Sequence, residues 1–106
     1  MSTGQLFYRD EHLFVDLRDQ LVVLDSKPIT LTRMEHRLLT LLVEHAGEVV
    51  PRAIILKRIW GDAPKIQVRT VDKHVNVLRR KLGIYANLYI ETVIGVGYRF
   101  RPPAGP

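Results

Sequence analysis

The apolar positions of this chain change period along its length, and each change marks an element. Between residues 12 and 31 they fall in three short β-rich runs, HLFVDL, QLVVL and KPITL, separated by RD and DS. That is turn chemistry of the kind that joins antiparallel strands, and it predicts a small meander. TRMEHRLLTLLVEHAG then takes up helical spacing. Thr32 and Glu35 stand at the separation of a capping box, and Gly47 offers a left-handed stop after Ala46. Leu38, Leu41, Leu42 and His45 share one face, away from Arg37 and Glu44. PRAIILKRIWG predicts a shorter helix, opened by Pro51 in its first turn and buried through Ile55, Leu56 and Ile59. DAPKIQ interrupts it, because Pro64 disfavours helical geometry at Ala63.

A third helix is predicted over about residues 67–82, ended by Gly83. Placed at the angular step of an α-helix, Val71, Val75, Leu78 and Leu82 form one apolar stripe. Arg69, Lys73, Asn76, Val77 and Arg80 fall on the opposite arc, flanked by Thr70, His74, Arg79 and Lys81. Between residues 68 and 83 six Lys, Arg and His residues stand against the single Asp72. The core would hold such a helix from behind while it presents a cationic, hydrogen-bonding face outward. A B-form major groove admits one α-helix, and Arg, Lys, Asn and Thr reach base edges or phosphates there. Finally, LYIETVIGVGYRFR alternates over residues 89–93 and 98–101, a β-hairpin with Gly95 and Gly97 where the turn needs unusual φ.

Composition narrows the class. With 106 residues, 46% of them hydrophobic, the chain fits one globular domain. Its folded part is expected over about residues 12–101, with flexible ends at 1–10 and 102–106. Without Cys, neither a disulfide framework nor a thiolate zinc site is available. No apolar run approaches the ~20 residues that span a bilayer, and the first residues lack a signal peptide's apolar stretch, which points to a cytoplasmic protein and no membrane. The net charge of +5 is unevenly spread: residues 1–50 hold five Lys/Arg against eight Asp/Glu, and residues 51–106 hold eleven against three. A basic half beside an acidic one suggests a polyanion on one side, and nucleic acid is the usual such partner. His12, His36, His45 and His74 lack metal-ligand spacing, and Gly95 and Gly97 form a lone G-x-G without a following helix. No Ser/His/Asp grouping stands out, so a protein without enzymatic activity, cofactor or metal is expected.

The blocks LTRMEHRLLTLL, PRAIILKRIWG, VRTVDKHVNVLRRKLG and ETVIGVGYRF occur in one order and at familiar separations. Over residues 13–101 the chain resembles the OmpR/PhoB-type winged-helix DNA-binding domain, the output half of bacterial two-component response regulators. The resemblance implies an α+β fold: a winged helix-turn-helix with an N-terminal antiparallel β-sheet, a three-helix core and a C-terminal β-hairpin wing. It implies sequence-specific binding of double-stranded DNA, with helix three in the major groove and the hairpin over residues 89–101 against the minor groove. It also implies RNA polymerase contact through the turn at residues 61–67, an upstream receiver domain in the parent chain, a monomer in solution and pairing on direct-repeat DNA.

Carried over residue by residue, the resemblance assigns phosphate or base contact to Arg69, Asn76 and Arg79, and a place near the DNA backbone to His74. Arg52 and Trp60 match sugar-phosphate contacts, with core packing as a rival role for the indole. Thr92 and Tyr98 match backbone-contacting positions of the wing. Lys73 and Arg80 share the exposed arc and are expected to steer phosphate, and Thr70 is expected to contact DNA beside them, with support of the helix start as its rival role. Two positions depart from the pattern, since Val77 and Ile94 stand where relatives often carry Arg. Val77 is expected to pack on a thymine methyl. Ile94 removes the wing's natural partner for a narrow A·T-rich groove, with Arg99 as the expected substitute. Asp72 is expected to stabilise the positive helix end or to pair with a nearby Arg. The alternative to DNA is a protein-interaction module whose basic face docks an acidic partner. Thr92, Tyr98 and Arg99 on an exposed hairpin favour DNA, and the apolar Val77 and Ile94 lean the other way.

Overall fold

The turn residues shape the N-terminal sheet. In the computed structural model, which describes residues 6–62 and 65–102, strands β1 (Phe7–Arg9), β2 (Leu13–Asp16), β3 (Val22–Leu24) and β4 (Lys27–Ile29) pair antiparallel in that order. Asp25 and Ser26, at φ 49° and 68°, make the two-residue turn between β3 and β4. Positive φ at both positions is the type I′ geometry whose twist suits a hairpin. Asp16 Oδ1 accepts the Arg18 and Asp19 N–H groups, and Asp10 Oδ1 accepts those of His12 and Leu13, closing the other two turns.

The sheet begins before the expected start of the fold at residue 12. Phe7 and Arg9 of β1 are opposite Asp16 and Phe14 of β2, so the segment expected to be flexible is ordered from β1 onward. In a three-residue strand only Tyr8 turns inward, too short an alternation to stand out in the sequence. Residues 1–5 and 103–106 of the expected flexible ends, and Ala63 and Pro64 of the expected break, lie outside the described residues.

Helix α1 (Arg33–Glu44) starts at the predicted capping box: Thr32 Oγ1 accepts the Glu35 N–H at 3.1 Å and Glu35 Oε1 accepts the Thr32 N–H at 2.9 Å. It ends at Glu44, so His45 lies beyond the helix and is half-buried instead of on the buried face. Gly47 takes φ 86° and donates its N–H to the Phe100 carbonyl. Strand β5 (Val49–Pro51), absent from the sequence reading, follows and runs into α2 (Arg52–Trp60). Pro51 is thus the last residue of a strand and the N-cap of α2 instead of a first-turn residue.

Helix α3 (Val68–Leu82) matches the prediction closely, and Val71, Val75, Leu78 and Leu82 are each fully buried. Burying such side chains stabilises the fold by about 1.5–3 kcal/mol each, which is what fixes the helix's rotation. A 3-10 turn (Gly83–Tyr85) and the short α4 (Ala86–Tyr89) occupy the stretch between α3 and the hairpin. Tyr89, expected in the hairpin, ends α4 with its ring stacked on Phe100 and its hydroxyl donated to Asp10.

The hairpin itself is β6 (Ile90–Val93) and β7 (Gly97–Phe100), and β5 joins it as a third strand in the order β5-β7-β6. Gly95 has the expected left-handed φ of 79°. Gly97 serves a different purpose from the one expected. Its φ is not positive; a Cβ there would lie 2.0 Å from the Val50 carbonyl oxygen and 2.9 Å from Pro51 Cα, so glycine is required by the close approach of β5. Among the described residues no helix is long and apolar enough to cross a membrane.

Candidate nucleic-acid interface

The buried stripe of α3 leaves one cationic arc in solvent. Arg69, Lys73, Asn76 and Arg80 are all exposed there, and none of the three cations forms an ion pair among the described residues. Val77 is half-buried at the edge of this arc. Lys81, on the flank, points elsewhere: its Nζ lies 2.6 Å from Oε1 of Glu35, which is only 5% exposed and is the acid of the α1 capping box. Burial alone would raise the Glu35 carboxyl, but hydrogen bonds from Lys81 and Thr32 outweigh it and hold the group below the usual carboxylate range.

Thr70 and His74 are half-buried on one flank, where His74 Nδ1 donates to the Thr70 carbonyl at 3.0 Å. That bond assigns the proton to Nδ1, since a carbonyl can only accept. The Trp60 ring meets the His74 ring edge to face at 5.0 Å, so the indole packs α2 against α3 while remaining partly exposed.

Arg79 joins α3 to the hairpin. Its Nη2 donates to the Ile90 carbonyl at 2.8 Å and to Thr92 Oγ1 at 2.6 Å, and its guanidinium carbon lies 5.5 Å from the Tyr98 ring centroid. Such charge-assisted bonds are roughly twice as strong as neutral ones. Thr92 remains exposed while it accepts this bond. Arg79, expected to contact phosphate or bases, is thus half-buried and already bonded to the wing through Nη2.

Asp72 forms a second junction. Its Oδ1 accepts the Tyr98 hydroxyl and lies 3.0 Å from Arg52 Nε. The Arg52 contact is an ion pair without an aligned N–H, since that buried Nε has no hydrogen-bond acceptor. Asp72 thus has the structural role expected of it. Tyr98, expected on the exposed hairpin, is 4% exposed, and burial followed by the bond to Asp72 raises its phenol above the ordinary value. Its partners come from α2 and α3, and nothing in the local alternation of β7 reveals them.

The hairpin turn carries no cation. Ile94 is 90% exposed at its tip with Val96 beside it, and the Val96 carbonyl accepts the Arg52 N–H at the start of α2. Arg99, the expected substitute for an Arg at Ile94, is paired within the hairpin: its Nε and Nη2 each lie 2.8 Å from Oε1 of Glu91, the residue opposite it on β6. Opposed residues share a sheet face, so Arg99 and Glu91 lie on the face away from Thr92 and Tyr98, the pair that meets α3. Sequence reasoning missed this pairing and the Val96 carbonyl; register alone could have found the first, and no sequence signal marks the second.

The arrangement combines an outward arc of cations and amide on a rigid helix with a hairpin bonded to that helix. Known proteins resemble the chain in sequence and fold. A family model described as "Transcriptional regulatory protein, C terminal" matches residues 26–100. The chain is 38% identical over 89 residues to the phosphate regulon transcriptional regulatory protein PhoB of Pseudomonas aeruginosa, covering 83% of this chain and 38% of that protein. It is 40% identical over 90 residues to the transcriptional regulatory protein VxrB of Vibrio cholerae, covering 85% of this chain and 36% of that one. The chain therefore spans less than half the length of these relatives. Among solved structures, the response regulator DrrB of Thermotoga maritima, an OmpR/PhoB homolog, superposes with a TM-score of 0.84 at 33% identity, covering 92% of this chain and 45% of that one. The DNA-binding domain of Klebsiella pneumoniae RstA, in complex with the RstA box, superposes with a TM-score of 0.81 at 28% identity, covering 93% of this chain and 100% of that one. The chain belongs to the OmpR/PhoB-type family of transcriptional regulatory protein C-terminal domains.

Proposed function

We propose that this domain binds double-stranded DNA sequence-specifically as the output half of a response regulator, with α3 in the major groove and the β6–β7 hairpin at the neighbouring minor groove. The observation that carries the reading is the division of α3: Val71, Val75, Leu78 and Leu82 are fully buried while Arg69, Lys73, Asn76 and Arg80 are exposed on the other side. Arg69, Lys73 and Arg80 neutralise phosphates, and Asn76 is the amide on that arc that can pair bidentately with adenine. Val77 and Ile94 contribute apolar contact, and Arg79 sets the angle between groove helix and wing. Arg52, Trp60, Thr70, His74 and Thr92 line the edges of this surface. Tyr98 and Arg99 act within the protein.

In a parent chain of its relatives' length, a receiver domain lies upstream, and the turn over residues 61–67 faces RNA polymerase. The domain is a cytoplasmic monomer that pairs on direct-repeat sites, and it binds without catalysis, cofactor or metal.

The test is selection of duplexes from a random pool, followed by titration of the selected site against salt. Neutralising about five to eight phosphates gives a slope of log K against log[salt] near −0.9 per contact. A shallow slope with no enriched sequence would refute DNA binding and favour the protein-interaction alternative.

A further inference from the structure

A cleft of about 550 Å³ opens between the β2–β3 turn, α1 and the end of α2, with Arg18, Arg33, Arg37 and Arg58 on its walls. No residue of α3 or of the β6–β7 hairpin lines it, so it is separate from the surface proposed for DNA. Among the described residues none of these four arginines forms an ion pair. Glu44 is the acid on the lining, and Asp16 nearby is engaged with the Arg18 and Asp19 N–H groups.

The placement works against the fold. Arg33 is the first residue of α1, at the positive end of the helix dipole, and the last turn of that helix, where cations are favoured, has none. Arg33 and Arg37 are also a like-charge pair four residues apart, which destabilises a helix. Arg37 has a structural task, because its Nη2 donates to the Arg58 carbonyl at 3.2 Å in the last turn of α2. The side chains of Arg18, Arg33 and Arg58 have no such bond among the described residues. An external polyanion would relieve the repulsion and satisfy these donors.

The chemistry of the lining selects among polyanions. The guanidiniums come from three separate elements, the β2–β3 turn, α1 and the end of α2. No Phe, Tyr or Trp lines the cleft to stack a nucleotide base, and the His36 ring on its wall is buried and bonded to the Asp16 carbonyl. Guanidinium forks pair bidentately with carboxylates, and an extended chain carries several at short intervals. We propose that this cleft docks an acidic peptide segment of a protein partner, which the domain can hold while α3 is on DNA.

The probe is a fluorescein-labelled octaglutamate peptide, with octaglutamine as control and inorganic tripolyphosphate as competitor. Saturable binding is expected, with amide shifts centred on Arg18, Arg33, Arg37 and Arg58. The double charge reversal R33E/R58E should lower peptide affinity about tenfold, the combined effect of two lost exposed pairs and the repulsion that replaces them. R69E should change it less than about twofold at the same salt, Arg69 lying outside the cleft. Thermal melts establish that the reversed variant folds, and R33Q/R58Q, with a smaller expected loss, replaces it if it does not. The proposal is overturned if the shifts centre on Arg69, Lys73 and Arg80, if neither double variant weakens binding, or if tripolyphosphate binds as tightly as the peptide. None of these outcomes depends on whether the domain binds DNA.

Discussion

Gly97→Ala should damage the domain far more than Gly95→Ala, although the two glycines share one hairpin turn region. At Gly97 the new Cβ would be placed 2.0 Å from the Val50 carbonyl oxygen and 2.9 Å from Pro51 Cα. Carbon and oxygen need about 3.3 Å, and both obstacles are backbone, so no rotamer change relieves them. Strand β5 must move away from β7, disturbing the register Val49↔Arg99, Val50↔Tyr98 and Pro51↔Gly97. Overpacking of this kind costs about 1–3 kcal/mol, and each ladder hydrogen bond lost adds about 1 kcal/mol, giving roughly 3–4 kcal/mol in all. At Gly95 no atom lies within 4 Å of the added Cβ, and the penalty is the left-handed φ of 79°, worth about 1–2 kcal/mol. Urea unfolding followed by Trp60 fluorescence would measure the contrast. With a slope of about 2 kcal/mol/M, the midpoint should fall by roughly 1.5–2 M for Gly97→Ala and by less than about 1 M for Gly95→Ala. Equal shifts in the two variants would refute the steric account of Gly97. The damage should extend to function, because the Arg52 N–H at the start of α2 bonds to the Val96 carbonyl beside Gly97.

Arg79→Ala removes two charge-assisted hydrogen bonds and a ring contact; a loss of about 2–4 kcal/mol is expected in denaturant titration, with Arg79→Lys intermediate. Ile94→Arg adds a cation to an exposed turn, so the salt slope of DNA binding should steepen by about 1 with little change in thermal stability, measured by fluorescence anisotropy. Acid should destabilise the fold through Asp10. Burial acts to raise its carboxyl, yet bonds from the Tyr8 and Tyr89 hydroxyls and the Leu13 and His12 N–H groups prevail, and the net shift is below the ordinary value of 3.8. A group depressed on folding contributes stability that is complete above its unfolded value and disappears as pH falls through its folded one. Melting temperature should therefore hold steady down to about pH 5 and drop progressively below it, and Asp10→Asn should melt lower at neutral pH with a flatter acid limb.

What could be read from the residues alone is what neighbours along the chain decide. The stripe of Val71, Val75, Leu78 and Leu82 is a matter of helical period, the Thr32–Glu35 box is complete within four residues, and the Asp25–Ser26 turn joins the strands on either side. Each brings its own geometry, so α3, the start of α1 and the β3–β4 hairpin stand where expected, and with them the exposed arc of Arg69, Lys73, Asn76 and Arg80. The tertiary structure decided which of the remaining polar groups stay free. Tyr98 alternates like an exposed strand residue, yet Asp72, 26 positions away, takes its hydroxyl; Arg79 finds its acceptors 11 and 13 residues on. Strand β5 exists because β7 offers it an edge, and Gly97 has no side chain because that edge lies so close. Local periodicity specifies which face a residue presents; only the packing of elements distant in sequence determines what that face meets.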